Sequence, residues 1–133
     1  MFDKDISILV VDDFSTMRRI IKNILRDVGF NNVKEADDGS TGWEAIQKNT
    51  FDLIVTDWNM PIMTGLELLK KIRANDATKH LPVLMVTAET KKEQIIVAAQ
   101  SGVNGYIVKP FTAATLKAKL TLISDRIEAK KSA

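Results

Sequence analysis

Four apolar runs in this chain each stop at residues that can do chemistry. "ILVV" runs into Asp12-Asp13, "LIVT" into Asp57, "VLMV" into Thr87, and "GYIV" into Lys109-Pro110. If the runs are parallel strands of one sheet, three carboxylates, a hydroxyl and an ammonium share one edge. Two carboxylates about 4 Å apart repel by about 4 kcal/mol at an effective dielectric near 20. Three need a cation. The donors are all oxygen, with no His or Cys among them, which points to a hard ion. Mg2+ fits best, because it takes one or two carboxylates and shares the rest of its shell with water and phosphate. A carboxylate beside such an ion, faced by a lysine and a hydroxyl, suits nucleophilic phosphoryl transfer. The aspartate attacks, the metal and lysine neutralise charge on the equatorial oxygens, and the hydroxyl donates to one of them. The chain has no Gly-rich nucleotide cradle, so the phosphoryl group arrives from a small molecule or another protein.

Taken singly, each residue has a plainer reading. Asp13 could help cap the following helix, and Asp57 could serve the turn before Pro61. Thr87 could be plain strand, and Lys109 a solvated charge before a turn-forming proline. Only their joint placement favours a site, and that placement depends on the elements between them.

Segment 6–11 is a largely β-branched run, as expected of a strand buried on both faces. It is followed by a helix with Met17, Ile20, Ile21, Ile24, Leu25 and Val28 at helical spacing, stopped by Gly29. Segment 33–36 is a weaker strand, and Asp38-Gly39 turns the chain into a helix covering Trp43 and Ile46. Strands then fall at 51–56, 82–87 and 105–108, with helices at 65–74 and 91–102 and a last helix starting near Thr112. Strict alternation argues for a parallel sheet covered on both faces. Right-handed crossovers leave few layouts, of which the flavodoxin-like doubly wound order 2-1-3-4-5 is the commonest. Ligands then bind at the carboxyl edge between strands 1 and 3. We expect a single (βα)5 domain over 1–133.

Bulk composition narrows the function further. At 133 residues the chain is large enough for one real core, and a net charge of +2 is too small to argue for nucleic acid. The Lys pairs at 70–71, 91–92 and 130–131 are dispersed and read as solvated faces. No apolar run reaches the ~18 residues of a membrane span, and the start lacks the pattern of a signal peptide. Zero cysteines exclude a disulfide framework and thiolate metal sites. A cytoplasmic monomer without membrane or nucleic-acid contacts is expected. His80, the only histidine, has nothing nearby to form a metal cluster or a Ser-His-Asp triad.

Together, "ILVVDDFSTMRRI", "VTDWNMP", "LPVLMVTAE" and "GYIVKPFTAATL" resemble the receiver domain of two-component response regulators, essentially end to end. "DDFSTMRR", "DWNMP" and "KPFTAATL" are similar, more narrowly, to the single-domain chemotaxis regulators of the CheY type. The resemblance implies that Asp57 accepts a phosphoryl group from a histidine kinase, CheA in chemotaxis. It implies that Asp13, Asp57 and the carbonyl of Asn59 bind Mg2+, with Asp12 acting largely through water. It also implies phosphoryl contacts from Thr87 and Lys109, and a cis Lys109–Pro110 bond. Tyr106, the only tyrosine, becomes a rotamer switch on the face of helix 4, strand 5 and helix 5. Thr90, Lys92, Ile95, Phe111 and Lys119 would share that face, which in such proteins binds the flagellar switch protein FliM. CheZ is a further partner that the resemblance offers, for dephosphorylation. Because the chain stops after the fifth helix, the signal is expected to leave through its own surface. The expected role is an acceptor with slow self-catalysed turnover rather than an enzyme.

Departures from the pattern bear on output. Thr64 replaces an aspartate, Thr90 an alanine, and Lys117-Ala118 two acidic residues; Gly42 and Trp43 enter the second helix away from the output face. A more basic last helix alters recognition by charge. A regulator copy with a non-motor partner, or a phosphate sink, therefore stays open as an alternative. An aspartyl-phosphate phosphohydrolase of the haloacid dehalogenase type needs an acid two residues after the nucleophile, where this chain has Asn59. A receiver-like adaptor that binds without phosphorylation is the remaining rival.

Overall fold

The computed structural model describes residues 2–132, the side chains of 131 and 132 excepted; Lys131 thus lies outside the described side chains. The elements alternate as β1 (Ile8–Val11), α1 (Ser15–Val28), β2 (Val33–Ala36), α2 (Gly39–Lys48), β3 (Leu53–Thr56), α3 (Gly65–Ala74), β4 (Val83–Thr87), α4 (Lys92–Gln100), β5 (Gly105–Val108) and α5 (Ala113–Ser132). All pairings are parallel, and the strand order is β2-β1-β3-β4-β5. The expected flavodoxin-like layout is the observed one.

Alternation along the strands decides which helices cover which face. Ile8, Val10, Leu53, Val55, Leu84, Val86 and Ile107 pack with Ile21 and Leu25 of α1 and Leu116, Leu120 and Ile123 of α5. The opposite side chains, Leu9, Val11, Ile54 and Val83, pack with Ile46 of α2 and Leu68, Leu69 and Ile72 of α3. β1, β3 and β4 are buried throughout, which is why their sequences show no polar break.

Strands β1 and β3 are shorter than the apolar runs that announce them. Ser7 and Asp52 lie outside the ladder and hold each other by Asp52 N–H to Ser7 O at 2.8 Å and Ser7 N–H to Asp52 Oδ2 at 2.8 Å. Helix ends follow local chemistry. Gly29, at φ 115, closes α1 by donating to Arg26 O and Leu25 O, a backbone position that a side chain would strain. Thr64 caps α3 in a reciprocal box: its Oγ1 accepts Glu67 N–H at 3.1 Å, and Glu67 Oε1 accepts Thr64 N–H at 3.0 Å. The threonine that departs from the receiver pattern therefore has a structural use of its own. Asp13 does not cap α1, contrary to the plainer reading; Phe14 is the N-cap residue, with no side-chain cap.

Half-buried Arg73 ties α3 to the loops at the opposite end of the sheet from Asp12 and Asp57. Its guanidinium donates to Gly102 O, Lys79 O, Leu81 O and Asn104 Oδ1 at 2.6–3.1 Å. Asn104 Oδ1 also accepts Val83 N–H at 2.8 Å, so the same group fixes the start of β4.

Candidate phosphoacceptor site

Ladder register brings the strand ends together. Val11 pairs with Thr56, so Asp12 and Asp57 leave the sheet side by side, and Asp57 N–H donates to Val11 O at 3.0 Å. Thr87 pairs with Val108, and Lys109 N–H donates to Thr87 O at 2.8 Å. Asp12, Asp13 and Asp57 each offer a carboxylate oxygen within 4.8 Å of the others. The carboxyl edge thus holds all five residues that the strand ends singled out.

Lys109 Nζ lies 2.9 Å from Asp12 Oδ2 and 3.2 Å from Asp57 Oδ2, bridging two buried carboxylates. Asp12 Oδ1 accepts Phe14 N–H at 2.9 Å, and Asp57 Oδ1 accepts Trp58 N–H at 2.7 Å. Asp13 is exposed, and its carboxylate makes no hydrogen bond or ion pair among the described residues. Burial pushes the Asp12 carboxyl above the usual carboxylate range, by more than the Phe14 N–H and Lys109 pull it down. Burial also disfavours the Lys109 ammonium, but its hydrogen bond to Asp12 and the charges of Asp57 and Asp12 prevail and raise its pKa. Lysine stays charged, and Asp12 is the reluctant anion of the cluster.

The donor chemistry fits a hard divalent cation. Three carboxylates converge with no nitrogen or sulfur donor other than the lysine, which repels a metal and attracts phosphate. Both oxygens of Asp12 already have protein partners, whereas those of Asp13 are free to face an ion. Asn59 stands exposed two residues beyond Asp57 on the same loop.

The loop carrying Asp57 is held by contacts that the sequence did not announce. Gly65 N–H donates to Trp58 O at 2.8 Å, and a Cβ on Gly65 would stand 1.9 Å from Asp57 O. That same carbonyl accepts Thr56 Oγ1 at 2.9 Å. Gly39 N–H holds Met63 O at 3.2 Å, where a Cβ would approach to 2.4 Å. Between the two clamps, Met63 N–H donates to Pro61 O at 2.7 Å across Ile62, whose φ is 69. A β-branched residue in this strained γ-turn is unfavourable, and Ile62 is 83% exposed with nothing to compensate. Ile62→Gly is expected to raise stability by about 1 kcal/mol, read as a higher urea midpoint at unchanged slope; a lower midpoint would refute the strain.

Of the switch-face residues, Tyr106 is half-buried against Trp58, Met85 and Ala98, and its hydroxyl donates to Glu89 O at 2.9 Å. Burial, then the charges of Glu89 and Asp57, hold the phenol pKa up, so it remains a donor. Glu89 N–H in turn lies 3.3 Å from Thr87 Oγ1, which links the strand-end hydroxyl to the tyrosine through one residue. Thr90 and Lys92 are exposed, and Ile95 and Lys119 half-exposed. Phe111 is half-buried and packs against the core on the α1 and α5 side of the sheet. The Lys109–Pro110 bond is cis, as the resemblance implied.

Comparisons with known proteins agree with this geometry. The response regulator receiver domain family matches residues 8–121. Chemotaxis protein CheY-3 of Vibrio cholerae is 66% identical over 127 residues, covering 96% of this chain and 98% of that protein. Chemotaxis protein CheY of Pseudomonas aeruginosa is 64% identical over 120 residues, covering 90% of this chain and 97% of its own. A solved receiver domain of the sensor histidine kinase PA1611 from Pseudomonas aeruginosa, with a magnesium ion in its active-site cleft, superposes with a TM-score of 0.79 at 26% identity, covering 90% of this chain and 98% of that one. The chain therefore belongs to the response regulator receiver family, and within it to the CheY-like chemotaxis regulators.

Proposed function

We propose that the whole chain acts as a single phosphoaccepting switch, with Asp57 taking a phosphoryl group from a histidine kinase of the CheA type. The observation that carries this is the Lys109 ammonium bridging Asp12 and Asp57 at the carboxyl edge of the sheet. Asp57 Oδ2 attacks phosphorus, the bond from phosphorus to the donor breaks, and the donor leaves with the electron pair. Lys109 neutralises charge gathering on the equatorial oxygens, and Thr87 Oγ1 donates to one of them. Asp13, Asp57 and the Asn59 carbonyl would hold Mg2+, with Asp12 reaching it through water. When bound, the ion shields the phosphoryl oxygens from the carboxylates. The magnesium in the related PA1611 receiver supports this assignment.

Signal transfer follows the hydrogen bonds from Thr87 to Glu89 to Tyr106. If Thr87 turns toward the phosphoryl group, Glu89 N–H loses its partner and the Tyr106 anchor moves with the loop. Turning a 1:99 equilibrium to 99:1 needs about 5.5 kcal/mol. A few contacts supply only part of that, so partner binding completes the switch. The proposed partner is a flagellar switch protein of the FliM type, with a CheZ-type phosphatase as a second candidate. Exposed Lys117 and Ala118 make α5 more basic, which favours weaker or redirected binding to that target. A titration with the switch-protein peptide is expected to show reduced affinity; ordinary affinity with ordinary phosphorylation dependence would refute it.

Incubation with Mg2+ and acetyl phosphate separates this reading from its rivals. A base-labile adduct that Asp57→Asn abolishes is expected. No adduct would favour a constitutive adaptor, and steady turnover of a phosphate ester would favour a hydrolase.

A further inference from the structure

Arg18 lies on α1, outside the carboxylate cluster, yet it grips that cluster through the main chain. Its Nη1 donates to the carbonyl oxygen of Asp12, and its Nε donates to Glu35 Oε1 on β2 at 3.3 Å. Lys22, one turn further along α1, approaches Glu35 Oε2 at 3.5 Å. The Arg18 side chain is only 18% exposed, while the carboxylate it holds, Glu35, is 37% exposed. The carbonyl it holds belongs to the peptide that joins Asp12 to Asp13. Asp12 is fixed independently, since its N–H donates to Ala36 O at 3.1 Å and both carboxylate oxygens have partners. Asp13 has no such help. Its exposed carboxylate is unpaired among the described residues, so its direction depends on the orientation of the peptide before it.

We infer that Arg18 is a positioning residue that aims the Asp13 carboxylate into the cation site by clamping the Asp12–Asp13 peptide against Glu35 of β2. The inference rests on the proposed Mg2+ site. Its sign separates it from a simple charge effect. A guanidinium beside a cation site repels a dication, so an Arg18 that acted only as a charge would weaken Mg2+ binding, and removing it would tighten binding. A clamp predicts the opposite.

The test is a Mg2+ titration of the full chain, followed through its tryptophan fluorescence, for wild type and Arg18→Met, with urea unfolding of both as the control. Arg18→Met is expected to raise the Mg2+ dissociation constant by about tenfold, the low end of what partners of metal ligands contribute. Arg18→Gln, which keeps a polar tip on the helix, is the second variant should Arg18→Met not fold, and should shift in the same direction. Unchanged or tighter Mg2+ binding in a folded variant overturns the inference while leaving the Mg2+ site intact. A wild-type chain that binds no Mg2+ overturns both.

Discussion

Lys109→Met is expected to slow phosphorylation by acetyl phosphate about a hundredfold, the scale of losing one preorganised charge donor at a transition state. It should also destabilise the fold. Asp12 and Asp57 would remain buried at the sheet edge without the ammonium that sits 2.9 and 3.2 Å from them. Removing one partner of a buried pair costs about 3–5 kcal/mol, and the partial exposure of this lysine reduces that to about 2–3 kcal/mol. The loss should depend on pH. Asp12 already titrates above the usual range because of burial, and removing Lys109 withdraws two influences that lower it. A carboxyl whose folded pKa is raised binds its proton more tightly in the folded state. Its stabilising contribution is present in acid and fades as pH rises through the folded value. The deficit in Lys109→Met should therefore be smallest in mild acid and larger at neutrality. Urea unfolding at two pH values checks this, and an equal deficit at both would refute the electrostatic account. Lys109→Arg, which keeps the charge, should recover most of the stability.

Gly65→Ala should be the most damaging single methyl group near the site. The new Cβ would stand 1.9 Å from Asp57 O, 2.8 Å from Asp57 C and 3.0 Å from Trp58 Cα, all of them backbone atoms that cannot step aside as a side chain does. The hydrogen bond from Gly65 N–H to Trp58 O pins the two segments together, so relief requires moving α3 or the Asp57 peptide. A cost of about 3 kcal/mol is expected, typical of overpacking against rigid surroundings. Phosphorylation should fall with it, because a misplacement of about 1 Å at a reacting centre costs about a hundredfold. A variant with wild-type urea midpoint and wild-type phosphorylation rate would show that the approach is less tight than the structure has it.

What was legible in the sequence divides along physical lines. Uninterrupted apolar strands and 3.6-residue periodicity are local signals, and they placed the elements and, with handedness, the strand order. Once strands are parallel, residues at their carboxyl ends must meet, so Asp12, Asp13, Asp57, Thr87 and Lys109 could be gathered before any coordinates. Contacts set by tertiary approach were not legible. Gly65 opens a predicted helix and Gly39 a turn into one, and only the packed chain shows the carbonyls against them. Arg18 and Arg73 sit in amphipathic helices where a cation normally faces water, and their carbonyl partners are remote in sequence or at a strand end. The positive φ at Ile62 had no signal, because isoleucine is among the residues least suited to it. Phe111 joins Tyr106 on the expected switch face through the resemblance alone, not through any pattern in the residues. In the fold Tyr106 packs with Trp58, Met85 and Ala98, and Phe111 with the core beside α1 and α5.

The central claim is that one carboxylate, Asp57, takes the phosphoryl group. Borohydride reduction of the chain after exposure to acetyl phosphate and Mg2+, followed by peptide mapping, tests it most directly, because an acyl phosphate is reduced to a stable alcohol at the modified residue. The account predicts one reduced residue, Asp57, and none when Mg2+ is chelated. Reduction at Asp12 or Asp13, or no reduced residue at all, would contradict it.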